Sequence, residues 1–430
     1  SCSSNGKRNG GPSSSIAPTT TTVLRAAGDR PDPSKPEGTD TLPQIEHIIV
    51  VMMENHSYDN YFGMLGRGDG FTLGPDGKPT NANPDANGQQ LRAFHMANTC
   101  QLPKKPATAW PNGRQQYSEG AMTGFVQSDS GPVAMGYWTG DDLPFYYALA
   151  NTFPVCDRWF GSCLFQTFPN RRFLLAATAF GSINNNFDFV VNGPRPAGGT
   201  IMEQLNKHTI SWRDYYTNLP TVGLFLPVLN ANLDKIAKID QYFTDAAAGT
   251  LPAFCLVEPD YERTSEENSE DITLGEAFVS KVIDAAMHGP GWSKTLLVWC
   301  YDEHGGYYDH VAPPPALPPD AIAPLTAPGD PPGDYARYGF RVPAAIVSPW
   351  AKRDYVSHVV HDHTSILKLV ERKFNLPALT ARDANADDLL DSLDFDHDPA
   401  FLTPPSLPAS HNDGVTALCG SAGPVPNPQG

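Results

Sequence analysis

The segment Ile48-Ile49-Val50-Val51-Met52-Met53-Glu54-Asn55-His56-Ser57 decides the fold. Six apolar residues run without alternation, the pattern of a strand buried on both faces of a sheet. Four polar residues follow at once. An unpartnered carboxylate is costly to bury. Glu54 and Asn55 therefore belong at the carboxyl end of the strand, facing the crevice where α/β sheets hold their ligands. Both offer oxygen donors, the ligand type of a hard divalent cation. A strand-to-turn exit with solvated polar groups is the plainer alternative.

Three more runs share this pattern: 253–257, 295–301 and 344–349. Between them the sequence predicts helices over 144–151, 170–179, 201–206, 274–287 and 364–374, with helical apolar spacing clearest from Leu274 to Val282. Alternating strands and helices predict an α/β protein with a mostly parallel central sheet flanked by helices on both faces. The 42 prolines and 37 glycines add long, stiffened loop insertions.

Three other stretches carry candidate chemistry. The run at 295–301 ends in Asp302-Glu303-His304-Gly305-Gly306, a second acidic strand end that could meet the first across one metal ion. Gln166-Thr167-Phe168-Pro169-Asn170-Arg171-Arg172 opens a helix, with Pro169 suited to its first turn. Thr167 then sits just before a helix N-terminus, where backbone N–H groups and the helix dipole favour phosphate. A simple helix cap is the commoner role for such a threonine. In His358-Val359-Val360-His361-Asp362-His363-Thr364-Ser365, His363 ends the loop before a helix and is the favoured functional histidine of the three.

Composition bounds the rest. The 430 residues suffice for a large core, and the formal net charge of −17 argues against nucleic-acid partners. The same charge repels phosphate esters, so a site for them needs a local cation. No apolar run is long enough to span a membrane. Residues 1–42 are rich in Ser, Thr, Gly and Pro and read as a flexible N-terminal tether, 43–404 as the catalytic domain, and 405–430 as a Pro/Gly-rich tail. Cys2, in Ser-Cys-Ser-Ser-Asn-Gly, resembles a lipoprotein start and predicts export, secreted, periplasmic or on the cell surface, with a possible lipid anchor. Among the seven cysteines, Cys156 and Cys163 are close enough in sequence to pair or to be free thiols, and Cys255 and Cys300 read as core.

Taken together, VMMENHSYDNYFG (51–63), VCDRWFGSCLFQTFPNR (155–171), YDEHGGYYDHVAPP (301–314), YGFRVPAAIVSPW (338–350) and HDHTSILKLVERKF (361–374) resemble the phosphoesterase family of non-specific phospholipases C and bacterial acid phosphatases. The resemblance covers roughly residues 43–376, with its motifs in order. It implies an alkaline-phosphatase-like fold. It also implies one divalent metal ion (Ca, Zn, Mn or Mg) held by Glu54, Asn55, Thr167, Asp302 and Glu303. Thr167 is the implied covalent nucleophile, and Asn170, Arg171 and His310 are assigned to the substrate. The sequence departs from the family at three places, two of them histidines: Thr108-Ala109 precedes Trp110 where many members have a His two residues before the Trp, Met122-Thr123-Gly124-Phe125 replaces a Met-Asp-Gly-Phe, and Glu266-Glu267-Asn268-Ser269 stands where a His-Pro pair is frequent. His304, His310 and His363 are the candidates for the general acid. The implied activities are a phospholipase C acting on a phospholipid, with peripheral or lipid-anchored membrane contact, or a phosphomonoesterase. A non-catalytic surface lipoprotein that binds a phosphorylated ligand is the alternative from another class.

Overall fold

The computed structural model describes residues 24–100 and 105–412. The elements that frame the site are, in chain order, β1 (His47–Met53), α1 (Tyr58–Phe62), α2 (Pro144–Thr152), β2 (Val155–Cys156), α3 (Thr167–Ala176), β3 (Trp212–Tyr216), β4 (Ile236–Lys238), α4 (Ile239–Ala248), β5 (Phe254–Val257), α5 (Ile272–His288), β6 (Thr295–Tyr301), β7 (Ala344–Val347), β8 (Val356–Ser357) and α6 (His363–Phe374).

The strands form one sheet in the order β8-β2-β7-β6-β1-β5-β3-β4. Every neighbouring pair is parallel except β6–β7 and β7–β2, so β7 alone runs against the rest. All of β6, and all of β1 except His47, is buried, as expected of central strands covered on both faces. The pleat of β6 separates the two layers. Trp299 stacks on Tyr146 of α2 at a centroid distance of 4.5 Å, and Tyr301 meets Tyr61 of α1. Cys300, on the opposite pleat, lies in the field of Arg171 from α3. Helix α3 packs on α6, and α4 on α5.

All four strands expected from apolar runs are present, and the expected helices form within a few residues of their anticipated ends. Strands β2, β4 and β8 are only two or three residues long, too short for any periodicity to show. Strand β3 is Trp-Arg-Asp-Tyr-Tyr, and its charges hide it. Tertiary partners take them up in part: Arg213 pairs with Asp245 at 3.0 Å, and Asp214 accepts the Val222 N–H at 3.0 Å through Oδ2, while its Oδ1 has no hydrogen-bond partner.

The segment 24–42, expected as tether, is tied to the C-terminal end of α6. The Asn375 amide donates to the carbonyls of Asp32, Lys35 and Pro36 at 2.9–3.0 Å. Thr41 N–H donates to Lys373 O at 2.7 Å, and Leu42 is buried. Its order comes from hydrogen bonds to the domain rather than from apolar content, which is why composition missed it. At the other end, Ser410 donates to the Thr273 carbonyl at the start of α5 at 3.2 Å. Residues 1–23 and 413–430, with Cys2 and its expected lipidation, lie outside the described residues. Cys156 and Cys163 are free and buried, so that pairing does not form; Cys255 and Cys300 are free core thiols, whereas Cys100 is disulfide-bonded. Among the described residues no helix is long and apolar enough to cross a membrane.

Candidate active site

Strands β1 and β6 lie in register, Met53 opposite Tyr301. Their polar extensions therefore leave the sheet side by side. The Asn55 backbone N–H donates to Asp302 Oδ1 at 3.2 Å. Asn55 takes a left-handed φ of 71°, turning the chain sharply at the strand end. Gly305 makes this possible: a Cβ there would stand 1.8 Å from the Asn55 carbonyl oxygen, and its own φ is +66°.

One cation is buried among the carboxylates at these strand ends. Arg171, from α3, pairs with Asp302 at 3.1 Å and Glu258 at 3.2 Å. It also donates to the Met52 carbonyl at 3.0 Å, the Met53 carbonyl at 3.3 Å and Thr221 Oγ1 at 3.2 Å. One guanidinium does not offset Glu54, Asp302 and Glu258 together. Burial, and then the charge of Asp302, push the Glu54 carboxyl well above its ordinary range. Burial raises Asp302 as well, against the pull of Arg171. The buried Asn55 Oδ1 has no hydrogen-bond partner. A bare amide oxygen beside raised carboxylates is the donor set of a hard divalent cation, and an ion there would relieve both. Glu54, Asn55 and Asp302 thus fit the metal implied by the sequence.

Thr167 is the first residue of α3, with Gln166 at the cap position, so it lies one step inside the helix rather than just before it. No acidic residue in the first turn occupies the positive end of the helix dipole, which is left open to an anion. Glu54, Thr167 and Arg171 line one cavity of about 390 Å³. Its other walls are largely apolar, from Phe168, Val190, Pro220, Leu224, Leu226 and Leu229. At its mouth Phe187, Val191 and Leu219 are 66%, 62% and 55% exposed. Exposure of that size for three neighbouring large apolar side chains marks a contact surface rather than a folded core.

The remaining expected site residues stand elsewhere or are already committed. Asn170 donates to the carbonyls of Cys163, Phe165 and Gln166 and accepts the Cys163 N–H at 3.1 Å; it holds the loop entering α3. Arg171 faces the cavity but spends its donors on the strand ends, so it positions Asp302 and has no free fork for substrate. Glu303 Oε2 accepts the Gly305 N–H at 2.8 Å and lies 3.1 Å from His304 Nδ1, bracing its own turn. Among the described residues, the groups of three His, Cys, Asp or Glu whose ligand atoms come within 4.8 Å are Asp59/Asp309/His310 and His361/Asp387/Asp391. Glu303 stays close to Glu54 and Asp302, its charge adding to burial in raising both carboxyls. Burial drives His304 down to about 3 and His363 down to about 4, leaving both neutral. His304 Nε2 bonds Gln116 Oε1 at 2.8 Å. His363 Nε2 donates to the Asp302 carbonyl at 2.7 Å, fixing the strand end from α6. His310 belongs to a separate network, between Asp59 at 2.7 Å and Asp69 at 3.2 Å. Asp59 and Asp309 there both pair with Arg341, at 3.0 and 2.8 Å.

Three residues near the site were not singled out from the sequence. Glu258 follows β5 as Glu54 follows β1, and that parallel could have found it. Tyr261 donates to Glu258 at 2.5 Å and, with Glu267, lines the cavity. Glu267 is ion-paired with Lys105. Glu267 falls in the stretch where the family's His-Pro pair is missing. Its neighbour Glu266 points into the core, accepting from Tyr61 and Tyr146 at 2.5 Å and also from Tyr301.

The family model described as "Phosphoesterase family" matches residues 45–377. The chain belongs to the phosphoesterase family. Among its relatives, non-specific phospholipase C1 of Arabidopsis thaliana is 32% identical over 382 residues, covering 79% of this chain and 69% of that protein. Non-hemolytic phospholipase C of Pseudomonas aeruginosa is 30% identical over 383 residues, covering 78% of this chain; the matched region spans 54% of that protein's length. Phospholipase C B of Mycobacterium tuberculosis is 29% identical, covering 88% and 82%. A solved protein of the alkaline phosphatase superfamily from Vibrio parahaemolyticus aligns at a TM-score of 0.41 and 9% identity, covering 89% of this chain and 76% of that one.

Proposed function

We propose that this phosphoesterase is a metal-dependent phosphodiesterase of phospholipase C type, acting through a phosphothreonine intermediate at Thr167. The cavity carries the reading. Its polar floor holds Thr167 and Glu54, and its apolar walls open at Phe187, Val191 and Leu219. A small phosphomonoester has no use for such walls, whereas the glycerol and acyl part of a lipid fills them. The relatives named as phospholipases C agree.

A divalent ion held by Glu54, Asn55, Asp302, Glu303 and the Thr167 hydroxyl would supply Lewis-acid stabilisation of the attacking and phosphoryl oxygens. The chain's own part is as follows. The dipole of α3 favours the phosphate at Thr167. The bond from Thr167 Oγ1 to phosphorus forms as the bond from phosphorus to the glycerol oxygen breaks. The Thr167 hydroxyl gives up its proton as this bond forms and the glycerol oxygen takes one up, so the step balances; Glu267, ion-paired with Lys105 and therefore ionised, is the carboxylate on the cavity wall able to relay that proton. Water then cleaves the Thr167–phosphorus bond and regenerates the hydroxyl.

With its negative charge the chain suits zwitterionic lipid surfaces, met through the exposed mouth of the cavity. The disulfide at Cys100 supports an exported protein. Hydrolysis of nitrophenyl phosphocholine and of nitrophenyl phosphate, each with and without chelator, tests the reading. Turnover of the diester that chelator abolishes is expected. Turnover of the monoester alone would replace the reading with a phosphatase, and silence on both with a binding protein.

A further inference from the structure

We propose a second cation site, formed by His361, Asp387 and Asp391 at the turn between β8 and α6, for a divalent ion that accepts an imidazole ligand, of the Zn²⁺ or Mn²⁺ class. It is separate from the Glu54 site and does not depend on that reading.

The hydrogen bonds around His361 point to it. The ring is fully buried. The backbone on either side of the ring is fixed: Phe160 N–H donates to His361 O at 2.9 Å, and His361 N–H donates to Arg158 O at 3.0 Å. Ser357 Oγ donates its one proton to Asp391 Oδ2, so toward His361 Nε2, at 3.0 Å, it can only accept. Nε2 therefore carries the ring proton, and a neutral His361 presents a bare lone pair at Nδ1.

That Nδ1 has no hydrogen-bond partner. It lies 3.4 Å from Asp387 Oδ1, yet the two do not form a hydrogen bond. Asp391 Oδ1 is also without a hydrogen-bond partner; it stands 3.6 Å from Nε2, at the ring's other nitrogen, and turns toward Nδ1 when the ion binds. One ligand atom from each of the three residues lies within 4.8 Å of the others. Ligands bound at about 2.0–2.2 Å around a tetrahedral ion stand roughly 3.3–3.6 Å apart, which matches the separation of Nδ1 from Asp387. One nitrogen and two carboxylate oxygens suit Zn²⁺ or Mn²⁺ better than Ca²⁺, which prefers oxygen alone.

The carboxylates are oriented from behind, as metal ligands are. Tyr355 donates to Asp391 Oδ2 at 3.1 Å, and Leu389 N–H donates to Asp387 Oδ1 at 2.9 Å. An ion here would lock the 387–391 segment to the turn that delivers His363, whose ring holds the Asp302 carbonyl. Its role is to brace the platform of the catalytic strand end.

Anomalous diffraction at the zinc edge tests the proposal, using crystals of the full chain grown with micromolar Zn²⁺. A peak bonded to His361 Nδ1, Asp387 and Asp391 is expected. No peak there, or one needing millimolar Zn²⁺, overturns it; a peak confined to Glu54 and Asp302 overturns it too and leaves the proposed function standing. In solution, chelator-stripped Asp387→Asn/Asp391→Asn protein should take up one Zn²⁺ fewer per chain than the parent. Equal uptake would mean that a protonated His361 is merely ion-paired with its two aspartates.

Discussion

Replacing Arg171 with methionine keeps an unbranched apolar stem and removes the guanidinium with its charge. The structure sets the consequence. Two buried ion pairs, at 3.1 and 3.2 Å, and donors to the carbonyls of Met52 and Met53 are lost together. Removing one partner of a buried pair costs about 3–5 kcal/mol, because the carboxylates stay behind uncompensated. Glu54, Asp302 and Glu258 are all held down by the charge of Arg171, so its loss raises them further. Groups raised above their unfolded values bind more protons folded than unfolded, so the deficit should grow as pH rises. Urea unfolding of chelator-treated protein at pH 5 and pH 8 measures both effects. A stability loss under about 1 kcal/mol, or a deficit that shrinks with rising pH, would refute the assignment of Arg171 as the buried clamp of the strand ends.

Other consequences can be measured in parallel. Without metal, Glu266, Glu276 and Glu303 are raised by burial to about 8, 7 and 7, so the parent protein should lose stability as pH climbs from about 4.5 to 8; a melting temperature in chelator that rises over that window would contradict the burial assignment. Gly305→Ala should destabilise by at least about 1–3 kcal/mol through its positive φ alone, and more because the methyl meets the Asn55 carbonyl. Denaturant unfolding reads this, and a neutral result would mean that the turn is built differently. Phe187→Ser/Leu219→Ser should cut turnover of phosphatidylcholine vesicles by roughly 10- to 100-fold, from the apolar area removed, and lower turnover of a soluble diester far less. Equal losses on both substrates would place these residues in the chemistry instead of at a lipid surface.

Much of this arrangement was legible because it rests on local signals. Ile48–Met53 and Thr295–Tyr301 announce buried strands, and the abrupt polar residues after each announce the crevice. Thr167 was marked by the helix it opens. What stayed hidden depends on distant partners. Arg171 looked like a substrate ligand until Glu258, which comes 87 residues later, accounted for it. The burial of His304 and His363, and their bonds to Gln116 and to the Asp302 carbonyl, come from distant residues that the local sequence does not announce. Glu303 was legible beside Asp302, but its bond to the Gly305 N–H, which braces the turn, was not. Residues 24–42 looked like tether because their order is supplied by Asn375, far along the chain.

The central claim is that Thr167 attacks phosphorus, and trapping the intermediate tests it most directly. Protein mixed with nitrophenyl phosphocholine and quenched in acid within the first turnovers can be digested and mapped by mass spectrometry. A phosphocholine adduct on Thr167, absent from Thr167→Ala protein that is folded but inactive, is the expected result. Thr167→Ala protein that still turns over substrate, or an adduct on another residue, would contradict it.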